Sequence, residues 1–464
     1  MTMRKLALAG VSALALAGCA AVGPDYLKPA AVVAPAYKEF KGWKAAAPRD
    51  DALKGAWWKP FHDPVLDRLE AEVAVSNQTL KADEANYREA LALVAQARSS
   101  LFPTVNGDAS GTRSSPGSNT VAAELSASWT PDFWGKVRRQ IEEQGASAEA
   151  SAATLANATL AEQSALAVAY VTLREADSAK QLFDDTVKQY QRSLEITQNQ
   201  YTAGVAAKSD VITAQAQLLS AQASAVETDV SRQQSEHAIA VLMGKPPAEL
   251  TIGRGTLSDA TPSPPVGVPS TLLERRPDIA AAERTMASAN AAIGVAISGY
   301  YPDITLSGLF GYSGNPFLRG GSVGNPVWSY ALSLAQPIFN AGLTDAQVAA
   351  ARATYDSQVA TYRQTVLSAF QQVEDYLVAV RVYGETIKIQ TQAVAAARQA
   401  VDIALNEYKA GTQSFTTVVT AEATLLNDEQ NLLSSRASRL TAAVNLIVAL
   451  GGGWNDAKLP IVAE

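Results

Sequence analysis

Few residues in this 464-residue chain have the types and spacing to do chemistry, and what they can do is narrow. Cys19 is the only cysteine, which leaves no disulfide and no paired-thiol metal site. It ends the run Leu16-Ala17-Gly18-Cys19, behind Arg4, Lys5 and an apolar stretch from Leu6 to Leu16. A charged start, a short apolar stretch and small residues before a cut make a secretory signal. With cysteine next to the cut the pattern is a lipobox. Residues 1–18 are then removed, and lipid is attached to the sulfur and new amino group of Cys19. Each buried CH2 of such a chain adds about 0.8 kcal/mol of membrane affinity.

The other reactive types do not assemble. Gly320-Gly321-Ser322-Val323-Gly324 has the letters of a nucleophile elbow, which needs a strand-to-helix turn and a base beside it. Here the run falls in a loop between two predicted strands. His62 and His237 are the only histidines, and they lack the spacing of a zinc site. The pairs Arg138-Arg139 and Arg275-Arg276 suit helix ends and ion pairs better than a ligand. No catalytic residue, metal or cofactor is expected, apart from the covalent lipid on Cys19. Without Arg4 and Lys5, 36 basic residues face 45 acidic ones, a net charge of about −9. That balance argues against nucleic acid as a partner.

The elements that carry these residues come in two copies. Residues 200–222 read QYTAGVAAKSDVITAQAQLLSAQ and residues 407–429 read EYKAGTQSFTTVVTAEATLLNDE, 207 positions apart. Self-similarity at that distance predicts an internal duplication. Residues 146–203 hold no Gly or Pro, and 343–410 hold only Gly384. At 1.5 Å per residue the first stretch makes a rod of about 87 Å, too long for a compact core. Val359, Val366, Val373, Val380, Ile387, Val394, Val401 and Tyr408 recur every seven residues, with Tyr355, Tyr362, Ala369, Tyr376 and Tyr383 on the same seam. Val419, Leu426, Leu433, Leu440 and Ile447 continue the period in the next helix. The first half has a weaker series, Leu166, Leu173, Val187, Leu194 and Tyr201, broken by Lys180. Period seven implies supercoiled helices. Gly204 and Gly411 suit left-handed helix ends, and Ser209, Asp210 and Ser414 suit caps of the returning helices.

Period two marks the strands. Val121, Ala123, Leu125, Ala127 and Trp129 alternate with polar or small residues, as do Ile304, Leu306, Gly308 and Phe310 in the second half. Prolines 103, 131, 302 and 337 stand where strands meet helices. Beyond the signal no apolar run reaches about 18 residues, so no transmembrane helix is expected. Strands of roughly 9–11 residues do suit a bilayer when tilted, but four of them cannot close. Closure needs further copies, and a trimer gives twelve strands. The expected order is a lipid-anchored segment 19–60 and a first repeat 61–250, with strands near 102–112 and 121–131 and helices near 133–203 and 209–243. A Pro-rich linker 251–270 leads to a second repeat 271–450, with strands near 302–312 and 326–336 and helices near 340–410 and 415–450. A tail 451–464 follows.

Several stretches together resemble the TolC-like outer membrane factor family, and within it the NodT-like efflux lipoproteins. They are AWWKPFHDP at 56–64, ARSSLFP at 97–103, DFWGKVRR at 132–139, LLERRPDI at 272–279, AAIGVA at 291–296 with YPD at 301–303, PIFNAG at 337–342 and AFQQVE at 369–374. By the same kind of resemblance, Ala20 in place of Asp favours sorting to the outer membrane. The resemblance implies a mixed α+β membrane protein: a homotrimer whose twelve-stranded β-barrel in the outer membrane continues as a long α-helical barrel through the periplasm. It implies a passive exit duct for drugs and other small amphiphiles. A periplasmic adaptor and an inner-membrane pump of the resistance–nodulation–division class work with it.

The resemblance also implies a periplasmic gate at the hairpin tips. Asp210 and Tyr408 match a contacting Asp–Tyr pair of the family, with Glu407 and Tyr201 beside them, and Gly204, Gly411 and Gln413 on the adaptor-facing tips. The same residues have an ordinary role open to them, Asp210 as a helix cap and Tyr408 as the end of the seam. Many relatives lock the gate with an Arg–Asp pair. Here Glu407, Gln413, Thr417 and Thr420 fill those places, so a lock of that kind is not expected, and acidic tips would favour cations. Type I protein secretion through a duct of the same shape, or a lipid-anchored periplasmic stalk, are the competing functions.

Overall fold

The computed structural model describes residues 21–30, 33–39, 56–114, 118–258, 260–262, 275–314 and 324–454. Cys19, the signal segment and nearly all of the Gly320–Gly324 run lie outside them.

Two short helices open the described fold, α1 (Pro64–Ser76) and α2 (Gln78–Ser99). Asp63 caps α1, its carboxylate accepting from the Val65 and Leu66 amides at 2.8 and 3.2 Å. Strands β1 (Thr104–Ser114) and β2 (Ser118–Trp129) follow, then α3 (Lys136–Thr202) and α4 (Lys208–Leu242). The second half runs α5 (Pro277–Ser298), β3 (Asp303–Gly314), β4 (Asn325–Ala335), α6 (Leu343–Lys409) and α7 (Phe415–Ala449). Helices α3 and α6 each have 67 residues, and α4 and α7 each have 35. At 1.5 Å per residue the long pair extend about 100 Å.

The four strands form one antiparallel meander in the order β1-β2-β3-β4. Its register gathers the period-two residues into faces. Gly107 pairs with Leu125, Leu125 with Phe310 and Phe310 with Trp328, while Trp129 pairs with Leu306 and Leu306 with Leu332. One face is therefore apolar and aromatic. The other carries Asn106, Asp108, Glu124, Ser126, Ser307 and Ser329. Leu125, Phe310, Trp328 and Leu332 are exposed on the apolar side. No helix among the described residues is long and apolar enough to cross a membrane.

Below the sheet the helices pack side by side in the order α2–α3–α5–α6, and further down in the order α4–α3–α7–α6. The main core lies where α1 meets α3, α4 and α7, around Trp57, Leu69, Leu166, Leu173, Ile239 and Ile447. A charged cluster bolts it. Arg174 and Arg232 both pair with Asp177, at 3.1 and 2.8 Å, and Arg232 also pairs with Glu236 at 3.0 Å. The same groups take up loose backbone. Arg174 donates to the Gly253 carbonyl at 2.8 Å, and Glu236 and Asp177 accept from the Ile252 and Gly255 amides. Residues 251–257 form no helix or strand, but several of their backbone groups are tied to side chains of α3 and α4.

The seam also differs in detail. Val366, Val373, Val380, Val394 and Tyr408 of α6 are buried, whereas Tyr383 and Tyr201 are exposed. In the lower half of α3 the buried stripe is Phe183, Thr186, Tyr190, Ser193 and Thr197. Mostly polar side chains hold that face, so an apolar heptad count places it one position off, on Val187 and Leu194.

Candidate gate at the hairpin tips

Each long helix turns back over five residues or fewer, and both turns are built the same way. At the first tip the Val205 amide donates to the Gln200 carbonyl at 2.9 Å, and the Gly204 amide to that of Tyr201 at 2.9 Å. At the second, Thr412 donates to Glu407 and Gly411 to Tyr408, both at 3.0 Å. This is the Schellman closure, which needs a left-handed residue after the cap. Gly204 (φ 76°) and Gly411 (φ 72°) supply it, and open space surrounds the position of a Cβ on either. Glycine is there for its backbone and not for packing.

The returning helices start without side-chain caps. Ala207 is the capping residue of α4, and Ser209 and Asp210 lie within its first turn. Ser414 holds the cap position of α7, but its hydroxyl lies 3.4 Å from that of Thr417 and bonds no helix amide. The expected capping by Ser209 and Asp210 is thus corrected: the helix begins one residue before them.

Tyr201 and Tyr408 occupy the same place in the repeat and opposite environments. Tyr201 is 46% exposed and Tyr408 only 5%. The Tyr408 ring lies 5.2 Å from that of Phe415, in a cluster with Ala214, Ala404 and Val418. Leu194 and Ile196 of α3 pack on the same cluster, so the second tip leans on the first hairpin. Gln200 adds a polar tie, its side-chain amide donating to the Tyr408 carbonyl at 3.1 Å.

The Asp210–Tyr408 pair is not hydrogen-bonded within the chain. Asp210 accepts from the Ser209 hydroxyl at 3.5 Å, and the buried Tyr408 hydroxyl makes no well-formed hydrogen bond among the described residues, with the Thr197 side chain beside it. Burial raises the Tyr408 pKa, the Thr197 side chain opposes the rise, and the charge of Asp210 adds to it. Glu407, Gly204, Gly411 and Gln413 are all exposed at the tips, and Gln413 accepts from the Thr417 hydroxyl at 3.3 Å.

Gln200, Phe415 and the buried Glu422 behind them are tip residues that the sequence reading passed over. A signal was present. Phe415 stands where the first copy has Lys208, and Glu422 falls between Val418 and Leu425 on the buried side of α7. Among the described residues no group of acidic, His or Cys side chains is placed to hold a metal.

The comparisons with known proteins agree with this architecture. Relatives include a probable efflux pump outer membrane protein, TtgC of Pseudomonas putida, 31% identical over 98% of this chain and 97% of its own length. Nodulation protein T of Rhizobium leguminosarum bv. trifolii is 30% identical over 95% of this chain and 96% of its own. Among solved structures, the outer-membrane channel OprN superposes with a TM-score of 0.85 at 29% identity, covering 93% of this chain and 99% of that one. The family model described as outer membrane efflux protein matches residues 70–245 and again 268–452. The chain belongs to the outer membrane efflux protein family, and it is an efflux channel of the outer membrane.

Proposed function

We propose that three copies of this chain form a passive exit duct, with a twelve-stranded barrel in the outer membrane and a helical barrel below it. One observation carries the proposal: every layer of the single chain ends in open edges. Among the described residues, strands β1 and β4 each lack a neighbour on one side. An open edge facing hydrocarbon leaves backbone groups unsatisfied at several kcal/mol each. In the lower helical layer the free edges are α4 and α6. Each bears a second, exposed heptad series, Ile212, Leu219 and Val226 on α4 and Val382, Ile389 and Ile403 on α6. Apolar stripes of this spacing are what a neighbouring helix covers. Strands of 11 or 12 residues, tilted, match the bilayer, and the apolar face would meet lipid while the polar face lines the pore.

In this reading the duct works with a periplasmic adaptor and an inner-membrane pump of the resistance–nodulation–division class, exporting drugs or other small amphiphiles. The pump supplies energy and the duct supplies only a path. Residues 1–18 are cleaved and Cys19 carries lipid. The tips at Gly204, Gly411 and Gln413 face the adaptor, and the Tyr408 cluster with Asp210, Glu407 and Tyr201 forms the gate. The test pairs two measurements on the purified protein. Cysteines placed at Val226 and Ile389, which lie at about the same height above the tips, should crosslink into a covalent trimer, and planar bilayers should show discrete ion conductance. A monomer without conductance would remove the duct and leave a periplasmic stalk. Deleting the gene should raise drug accumulation only in cells whose matching pump is present.

A further inference from the structure

A cavity of about 540 Å³ lies where the helices meet the sheet, between α2, α3, α5 and the segment around Ala21 and Tyr26. Four arginines line it: Arg98, Arg138, Arg139 and Arg284. Three have acidic partners. Arg138 pairs with Asp132 at 3.2 Å, Arg139 with Asp25 and Glu142 at 2.9 and 2.7 Å, and Arg284 with Glu149 at 3.2 Å. Arg98 has no ion pair among the described residues, and its Nε and Nη2 are buried without an acceptor. A guanidinium cannot shed its charge to relieve that burial. Glu142 and Glu149 also line the cavity, but neither pairs with the partly buried Arg98, whose Nε and Nη2 stay open to an acidic ligand.

The position of the cavity selects the anion. Arg98 precedes the start of β1 at Thr104 by six residues, and Arg138 follows the end of β2 at Trp129 by nine. The strand ends carry aromatic residues of the kind that settle at headgroup depth. Trp134 stacks on Tyr301 at 5.0 Å, and the Trp129 indole donates to the Leu101 carbonyl at 2.9 Å. Leu101 and Ile141 give the cavity an apolar wall beside its arginines.

We infer that this cavity binds the phosphate of a glycerophospholipid from the inner leaflet of the outer membrane, with Arg98 as its main ligand. The planar fork of Arg98 gives a phosphate two parallel hydrogen bonds, whereas Arg138 and Arg284 are already matched by acidic partners. The inference rests on the strands crossing the bilayer as proposed above. It places a lipid clamp beside the N-terminal segment at Ala21 and Tyr26.

Native mass spectrometry of the delipidated full-length assembly tests it, with short-chain phosphatidylglycerol and inorganic phosphate as separate probes. The wild-type assembly should retain the lipid, and Arg98→Gln should weaken retention tenfold or more. Arg98→Lys, which keeps charge but loses the fork, should fall between them. Arg113→Gln, near the far end of β1, is the control and should match the wild type. The spectra report assembly too, so a variant that fails to fold is recognised, and Arg98→Lys then decides. Equal retention by wild type, Arg98→Lys and Arg98→Gln overturns the site. Binding of inorganic phosphate without the lipid overturns the lipid source. Conductance in bilayers with Arg98-independent lipid binding sinks the clamp alone. Arg98-dependent lipid binding without conductance sinks the duct alone.

Discussion

The Ser193 hydroxyl of α3 donates to the Glu422 carboxylate of α7 at 2.5 Å, with both residues buried. This bond joins the first hairpin to the second about 14 Å behind the tips, counting nine residues back from Thr202. The second carboxylate oxygen of Glu422 is buried without a partner. Burial raises the Glu422 pKa, and the Ser193 and Gln217 side chains oppose the rise.

If the tips gate the duct, this bond holds the two hairpins in their present register. Ser193→Ala or Glu422→Ala should loosen it by about 1–3 kcal/mol. Single-channel recording should then show larger or more frequent openings. Glu422→Gln keeps an acceptor for Ser193 and should stay close to the wild type. Unchanged conductance in both alanine variants would remove this bond from gating.

Tyr408 separates packing from hydrogen bonding at the tip. Its buried hydroxyl makes no well-formed hydrogen bond among the described residues, while its ring packs on Phe415. Tyr408→Phe should therefore leave conductance as it was, and stability unchanged or slightly raised. Tyr408→Ala removes the ring and should open the tip, at a cost of about 3–5 kcal/mol to local packing. A leaky Tyr408→Phe channel would instead revive the phenol–carboxylate contact with Asp210.

The sequence made the long helices legible because Gly and Pro are absent over dozens of residues and no other element explains that. The strands were legible because alternation and bounding prolines coincide at both copies, and β3 and β4 fall within two residues of the expected spans. The buried face of lower α3 was not legible. Ser193 and Thr197 are polar, so an apolar count passes over them to Val187 and Leu194, while Glu422 and the Ser193 carbonyl satisfy their hydroxyls. Asp177 was hidden for a similar reason. Its two arginines come from residues 174 and 232, and only the packing of α3 on α4 brings them together.

Asp177 should be the most sensitive charge in the helical body. It faces Arg174 and Arg232 and also holds the Gly255 amide at 3.1 Å. Asp177→Ala leaves the buried Arg174 without an acidic partner and Arg232 with Glu236 alone, and should lower stability by about 3–5 kcal/mol. Thermal unfolding followed by circular dichroism checks this. Replacing the exposed pair Arg254 and Asp229 should change stability by no more than about 1 kcal/mol.

Glu70 of α1 predicts a pH effect of definite sign. It is fully buried and neither carboxylate oxygen has a partner. Burial pushes its pKa from the ordinary 4.5 up to about 9. Between those values the folded chain holds a proton that the unfolded chain has released. The unfolded state then binds fewer protons, so stability falls as pH rises through the window, by at most about 1.4 kcal/mol per unit. Glu70→Gln keeps the shape and cannot ionise, so it removes this contribution. Its unfolding midpoint should match the wild type near pH 5 and exceed it by a growing margin towards pH 8.5. A margin that shrinks with pH would mean that the folded protein stabilises the Glu70 carboxylate, contrary to its unpartnered burial.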